Sequence, residues 1–209
     1  MLKALRYIKD RFLVSYRKYG HYHIIKILLS NFFKPIFQYL NYKVFVKELQ
    51  ENIDCNSNGL KLRIFRNISE LRQNIKGEIA EMNPCDLAQE RLKKGQFCAV
   101  TEDKEGNQLF YLWFSYGRRK IETNFTIKND EAFFYSAYTI LERRGQNIYP
   151  VALELLASYL SKERIKKLYC FISPTNFSSI RGVEKAGFKK VRNLRNVKFL
   201  MCNKLIFKL

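Results

Sequence analysis

Thr139-Ile140-Leu141-Glu142-Arg143-Arg144-Gly145-Gln146-Asn147-Ile148-Tyr149-Pro150 is the stretch on which the reading of this chain turns. Before it, residues 132–141 are rich in aromatic and β-branched side chains and read as a buried strand. After it, Pro150 at a first helical position opens a helix over 151–160. Strand, loop and helix in that order aim successive loop amides and the positive end of a helix at one spot. Arg144 can add charge-assisted hydrogen bonds, so the loop suits a pyrophosphate. The same residues also make an ordinary surface turn, and this segment alone leaves both readings open.

Further along, residues 167–172 read as a strand, and Asn176-Phe177-Ser178-Ser179-Ile180-Arg181-Gly182-Val183-Glu184-Lys185-Ala186-Gly187-Phe188 follows directly, helical over 176–186. Two more strands are expected near 188–197 and 199–207. Upstream, Leu60, Leu62 and Ile64 alternate with Lys61, Arg63 and Phe65 as in a strand, and Ser69 starts a helical stretch through Met82. Asp86 and Gln89 resemble a capping box that opens a short helix ending at Gly95. Residues 97–100 and 109–116 predict a hairpin across the turn-rich Glu102 to Asn107, and 121–127 a further strand or ribbon. Up to that point the sheet is four or five strands wide. The alternation predicts an α+β, α/β-like domain with helices on both faces of its sheet.

With the loop and the later element in this order, the chain resembles the GNAT-type N-acetyltransferases, which pair an R-x-x-G-x-G/A loop with N-x-x-S/A and K-x-G-F. Arg144 takes the first loop position, Asn147 and Tyr149 the two glycine positions, and Asn176, Ser179, Lys185, Gly187 and Phe188 the second element. The resemblance extends over residues 60–209. It implies a mixed, mostly antiparallel sheet flanked by helices, with acetyl-CoA as donor and no metal. The acetyl group would go to a small-molecule amine; the basic ends favour an amino sugar or sugar nucleotide, with a peptide, polyamine or lipid amine equally open. It also implies that backbone near Ala137 and Thr139 holds the pantetheine. The loop Arg144, Gly145, Gln146, Asn147, Ile148 and Tyr149 would hold the pyrophosphate, with Asn176 and Ser179 from the second element.

The departures carry their own expectations. Asn147 replaces a glycine but is the residue type best able to adopt a left-handed conformation, so the turn survives. Tyr149 replaces the second glycine, and its bulk must point away from the phosphates. Val183 occupies the position where many members carry a tyrosine acting as general acid, which leaves that role vacant. An ammonium must lose a proton before it can attack a thioester, so a base or water relay is required. Glu131, at the start of the buried strand, resembles a carboxylate that some members place there; a solvated strand-end charge is the alternative. Tyr138 and Tyr135 are further proton carriers on that strand, with aromatic core packing as the competing role. Trp113, Tyr116, Arg118 and Arg119 suit an acceptor cleft or, equally, a buried hairpin with a basic turn.

Composition sets the bounds. The chain has 209 residues, 47% hydrophobic, and a formal charge of +19, so a core is within reach and a disordered tail is excluded. Residues 1–50 hold ten basic and two acidic side chains, and 161–209 hold thirteen and two. Both ends therefore favour an anionic partner. The competing reading is a non-catalytic basic protein of the same fold that binds nucleic acid or an anionic membrane surface.

Leu5, Ile8, Phe12, Tyr16 and Tyr19 predict an amphipathic basic helix in a helical segment over residues 1–49, which suits core packing, self-association or peripheral contact with an anionic inner membrane surface. The polar run Gln50 to Gly59 predicts a linker, which divides a helical extension, 1–58, from a transferase domain, 59–209. The longest uncharged run, 168–180, is thirteen residues, short of the roughly twenty apolar residues of a membrane span. Charges interrupt any signal-peptide core, which makes a cytoplasmic setting the expectation. Five cysteines without a C-x-x-C pair read as reduced, buried thiols, and His21 and His23, two apart on a helix, do not make a metal pair.

Overall fold

The computed structural model describes residues 37–50, 57, 59–83, 85–122, 125–199 and 206–208. Contacts divide the chain into a larger unit, Tyr42–Leu194, and a smaller one made of Met1–Asn41 and Arg195–Leu209. The strands are β1 (Phe37–Glu48), β2 (Lys61–Phe65), β3 (Phe97–Glu102), β4 (Gln108–Tyr116), β5 (Arg119–Glu122), β6 (Phe125–Ile127), β7 (Glu131–Thr139), β8 (Lys167–Ile172), β9 (Lys189–Phe199) and β10 (Ile206–Lys208). The described helices are α1 (Ile68–Asn74), α2 (Gly77–Met82), α3 (Cys85–Lys93), α4 (Ile148–Lys162) and α5 (Phe177–Lys185).

A mixed sheet of seven strands, in the order β9-β1-β8-β7-β4-β3-β2, forms the larger unit. β1 pairs antiparallel with β8, and β7-β4, β4-β3 and β3-β2 are also antiparallel. β7 and β8 run parallel. In the smaller unit β10 pairs antiparallel with β9 through Ile206↔Lys198 and Lys208↔Asn196. The α+β class with helices flanking a mostly antiparallel sheet is thus the one expected.

Alternation along each strand sends side chains to opposite faces, and each face is covered differently. Phe45, Phe110, Leu112, Phe114, Phe134 and Leu168 form one buried layer with Leu153, Leu156 and Leu160 of α4 and Ile180 and Val183 of α5. On the other face Leu71, Ile79 and Ala88, one from each of α1, α2 and α3, cover Cys98, Val100, Tyr111 and Trp113. Beside them the β5-β6 ribbon places Phe125 and Ile127 over Val44, Phe133 and Leu194. Local chemistry sets the helix starts: Asn67 caps α1 by accepting from the Glu70 N–H at 2.7 Å, and Asn176 caps α5 by accepting from the Ser179 N–H at 3.2 Å.

Several expectations are corrected. The helical reading of residues 1–49 fails over Phe37–Glu48, which is strand β1. Val44 and Phe45 are both buried, one on each face, because β1 lies between β8 and β9. A transferase domain beginning at residue 59 therefore omits one of its own interior strands. The amphipathic pattern from Leu5 to Tyr19, His21 and His23 lie outside the described residues, as do Cys55 and Cys202. The stretch expected as one helix from Ser69 to Met82 is two, α1 and α2. Asp86 lies within the first turn of α3 rather than capping it, and α4 begins at Ile148, two residues before Pro150. The strands expected near 167–172 and 188–197 are β8 and β9, and the unexpected β1 is inserted between them. Among the described residues no helix is long and apolar enough to cross a membrane.

Candidate active site

The parallel pairing of β7 and β8 runs from Glu131↔Lys167 to Phe134↔Cys170 and stops, although both strands continue. One extra residue in β7 displaces it locally: the register with β4 shifts between Tyr111↔Tyr138 and Trp113↔Tyr135, and Ser136 adopts φ 51°. This is a β-bulge, which bends a strand and ends its pairing on one side. A cavity of about 230 Å³ fills the resulting split, between Tyr135, Ser136 and Ala137 on one side and Phe171, Ile172 and Ser173 on the other.

That cavity shares Ala137, Tyr149, Asn176 and Ser179 with a larger one of about 650 Å³. The larger cavity is bordered by Tyr138, Thr139 and the loop from Arg143 to Tyr149, and by the first turn and outer face of α5. Four cationic side chains line it, Arg143, Arg144, Arg181 and Lys185, and no carboxylate does. Gly145 has φ 80° and Asn147 φ 62°, so the left-handed turn expected of Asn147 is present. Asn147 makes no side-chain cap to α4, and the amides of residues 145–149 donate to no backbone carbonyl among the described residues. Residues 145, 147, 148 and 149 border the cavity with amides that make no backbone hydrogen bond, and beside a helix start and four cations they form a concave, positive site that fits a diphosphate.

The expected site residues separate into two groups. Ala137, Tyr138, Thr139, Arg144, Gly145, Asn147, Ile148, Tyr149, Asn176 and Ser179 all border the larger cavity. Gln146 does not; its side chain turns back and donates to the Glu142 carbonyl at 3.4 Å. Arg144 donates from Nε to the Thr139 carbonyl at 3.2 Å, and its guanidinium lies 5.1 Å from the Tyr138 ring centroid. Tyr149 turns inward, as its bulk requires. It is packed against Phe110, and its ring occupies the space that a Cβ at Gly182 would need. Burial drives its phenol pKa upward.

Glu131 is excluded from the site. It stands at the opposite end of β7 from Thr139, eight residues away, a separation of roughly 26 Å along a strand. There it accepts from the Lys128 N–H at 2.8 Å and the Tyr169 hydroxyl at 3.3 Å, which makes it the clasp of the turn entering β7. The carboxylate that does approach the cavity is Glu78 of α2. It accepts the Tyr138 hydroxyl through Oε1 and the Leu141 N–H through Oε2 at 3.3 Å. Burial first, and then Glu78, raises the Tyr138 pKa, so that phenol keeps its proton at neutral pH.

Trp113 is fully buried and donates to Asn83 Oδ1 at 2.8 Å, and Tyr116 packs on Phe97. Neither lines an acceptor cleft. Val183 is sealed in the core under α5. Burial pushes the Cys98 thiol up to about 12 and raises that of Cys170 as well, so neither is a nucleophile at neutral pH. Cys85 departs from the expected burial and is exposed.

No protein-family model matches the sequence, and no curated protein does. Comparison of the fold gives matches, and they are mostly GNAT-type N-acetyltransferases. One is a protein assigned to the GNAT acetyltransferases from Novosphingobium aromaticivorans. It is 12% identical with a TM-score of 0.50, over 77% of this chain and 63% of that one. Another is the glucosamine N-acetyltransferase region of a fungal multi-domain β-N-acetylglucosaminidase. It is 11% identical with a TM-score of 0.52, over 81% of this chain and 22% of that one. The chain thus spans less than two thirds of the length of either. Its larger unit has the GNAT-type fold, with the split between β7 and β8 and the loop that follows β7.

Proposed function

We propose that the chain is an acetyl-CoA-dependent N-acetyltransferase acting on a small-molecule amine, with amino sugars and sugar nucleotides as the favoured acceptors. The observation that carries the reading is the broken β7-β8 pairing opening into a cavity bordered by free loop amides and four cations. In this reading the donor's diphosphate is held by the amides of 145–149 and the cationic side chains, and its pantetheine lies along the unpaired edge of β7 near Ala137 and Thr139. The acyl end then reaches the smaller cavity at Ser136. Bound there, the thioester supplies an activated acyl carbon. The amine nitrogen bonds to that carbon, the carbon–sulfur bond breaks, and the thiol product carries one proton while the amine loses one.

Tyr138 and Glu78 are the groups placed to take that proton. The phenolic oxygen can receive it as its own hydrogen passes to Glu78 Oε1, so Tyr138 contacts the amine and Glu78 acts through it. Losing one charge-assisted contact to phosphate costs about 1.5–3 kcal/mol, so Arg144→Ala should weaken acetyl-CoA binding at least about ten-fold by titration calorimetry. Glu78→Gln should leave that affinity in place and lower kcat by ~10² at neutral pH. Wild-type affinity in folded Arg144→Ala protein removes the donor assignment, and a wild-type rate in Glu78→Gln removes the relay.

A further inference from the structure

On the sheet face away from α4 and α5, two apolar layers meet at Tyr135, which packs against both: the layer under α1, α2 and α3, and the layer under the β5-β6 ribbon. Two guanidinium groups converge on that seam. Arg91, from α3, lies 5.0 Å from the Trp113 ring centroid and 5.1 Å from that of Tyr135, and donates from Nη2 to Ser136 Oγ at 3.3 Å. Arg119, from β5, donates through Nη2 to the Lys94 carbonyl, while its Nη1 is buried with no hydrogen-bond partner. The Tyr135 hydroxyl between them donates to Gln96 Oε1. Burial pushes the Tyr135 phenol up to about 12, and Arg91 and Arg119 are the two charges that pull it the other way. Among the described residues neither arginine has a carboxylate at ion-pair distance.

A buried guanidinium N–H without an acceptor is costly, and more so with a second cation beside it. Arg91 borders the bulge at Ser136, the residue that also borders the smaller cavity, and Arg119 stands at the Lys94–Gln96 turn, whose Gln96 holds the Tyr135 hydroxyl. No Asp or Glu lines either cavity, and Glu78 reaches the larger one only through the Tyr138 hydroxyl, so at the seam itself a polyamine would find two cations and no carboxylate. An anionic group would supply the missing acceptor to Arg119 and pair with the free edge of the Arg91 fork.

Resting on the acetyl-transfer reading, we infer that the acceptor is a primary amine that also carries a carboxylate or a phosphate, gripped by Arg91 and Arg119 so that its nitrogen enters the split at Ser136. The donor cavity is lined by residues of α4 and α5, which cover the opposite face of the sheet from this seam, and the seam is therefore taken as the acceptor's approach. Arg91 and Arg119 act here as specificity residues, since they hold the anion and not the reacting atoms.

Titration calorimetry of the full chain, with the donor cavity saturated by CoA, tests the inference with O-phosphoethanolamine, glutamate and spermidine as probes. At least one anionic amine should bind, and the one that does identifies phosphate or carboxylate as the group recognised. Arg91→Gln and Arg119→Gln should each weaken it at least about ten-fold, Arg91→Lys should recover part of the loss, and spermidine should not bind. Melting curves establish that each variant is folded; if Arg91→Gln is not, Arg119→Gln and Arg91→Lys carry the test. Absence of binding by both anionic amines, unchanged affinity in the folded variants, or a preference for spermidine overturns the inference. Should CoA itself fail to bind, the donor reading falls, and the same titrations without CoA still decide the anion site.

Discussion

Asn147 shows how one residue type supports a loop that the wrong one would deform. Its φ of 62° lies in the left-handed region, which costs most side chains about 1–2 kcal/mol and asparagine less. Asn147→Gly should therefore melt within a few degrees of the wild type and keep acetyl-CoA affinity. Asn147→Val, with a β-branched side chain at positive φ, should lose about 2 kcal/mol, which for a chain of this size is roughly 4–8 °C in Tm. It should also bind acetyl-CoA more weakly, because the amides of 145–149 would turn. A Val variant that melts and binds like the wild type would show that the loop does not depend on this conformation. Asparagine was legible here because its backbone tolerance is local. Glu131 was misjudged for the opposite reason: which end of β7 opens is set by where β8 stops pairing, and no residue near 131 carries that information. Glu78 was missed because it lies sixty residues from Tyr138 in sequence and bears no local mark of its partner.

At the scale of elements, the buried hydrogen bond from Trp113 Nε1 to Asn83 Oδ1 at 2.8 Å ties the end of α2 to the middle of β4. Asn83 also donates from Nδ2 to the Ile79 carbonyl at 2.8 Å, closing the last turn of α2. Asn83→Ala leaves the indole N–H buried and unpaired, at a cost of about 1–3 kcal/mol. Urea denaturation should show a lower midpoint with an unchanged slope, and a midpoint equal to the wild type would mean that the N–H finds another acceptor. Elements with a clean period and local punctuation were readable in advance: the β3-β4 hairpin by its Glu102 to Asn107 turn, where Asp103 accepts from the Asn107 N–H at 2.8 Å, and α5 by its Asn176 cap. β1 was not. Its polar residues Gln38, Asn41, Lys43 and Lys47 follow no strict two-residue period, so the stretch is indistinguishable in sequence from the helical pattern before it.

For the whole molecule, the place of β1 decides where the chain can be cut. Its residues 43–48 pair with all of β8, and Val44 and Phe45 sit in two separate cores. A chain starting at Gly59, the boundary that the polar run suggests, should lose cooperative unfolding and become insoluble, whereas the full chain should show a single transition by calorimetry. A soluble, cooperatively folding 59–209 fragment would mean that another segment replaces β1. The contact between Tyr149 and Gly182 reaches beyond this one sequence. The phenol ring fills the volume that a side chain at 182 would need, so neither position can be exchanged alone without overpacking. A relative with a small residue at the first is free to carry a larger one at the second, and a lineage that keeps the aromatic must keep the glycine. In an alignment of homologues the two columns should covary, the mark of a ring from the 143–149 loop that fills the flank of α5.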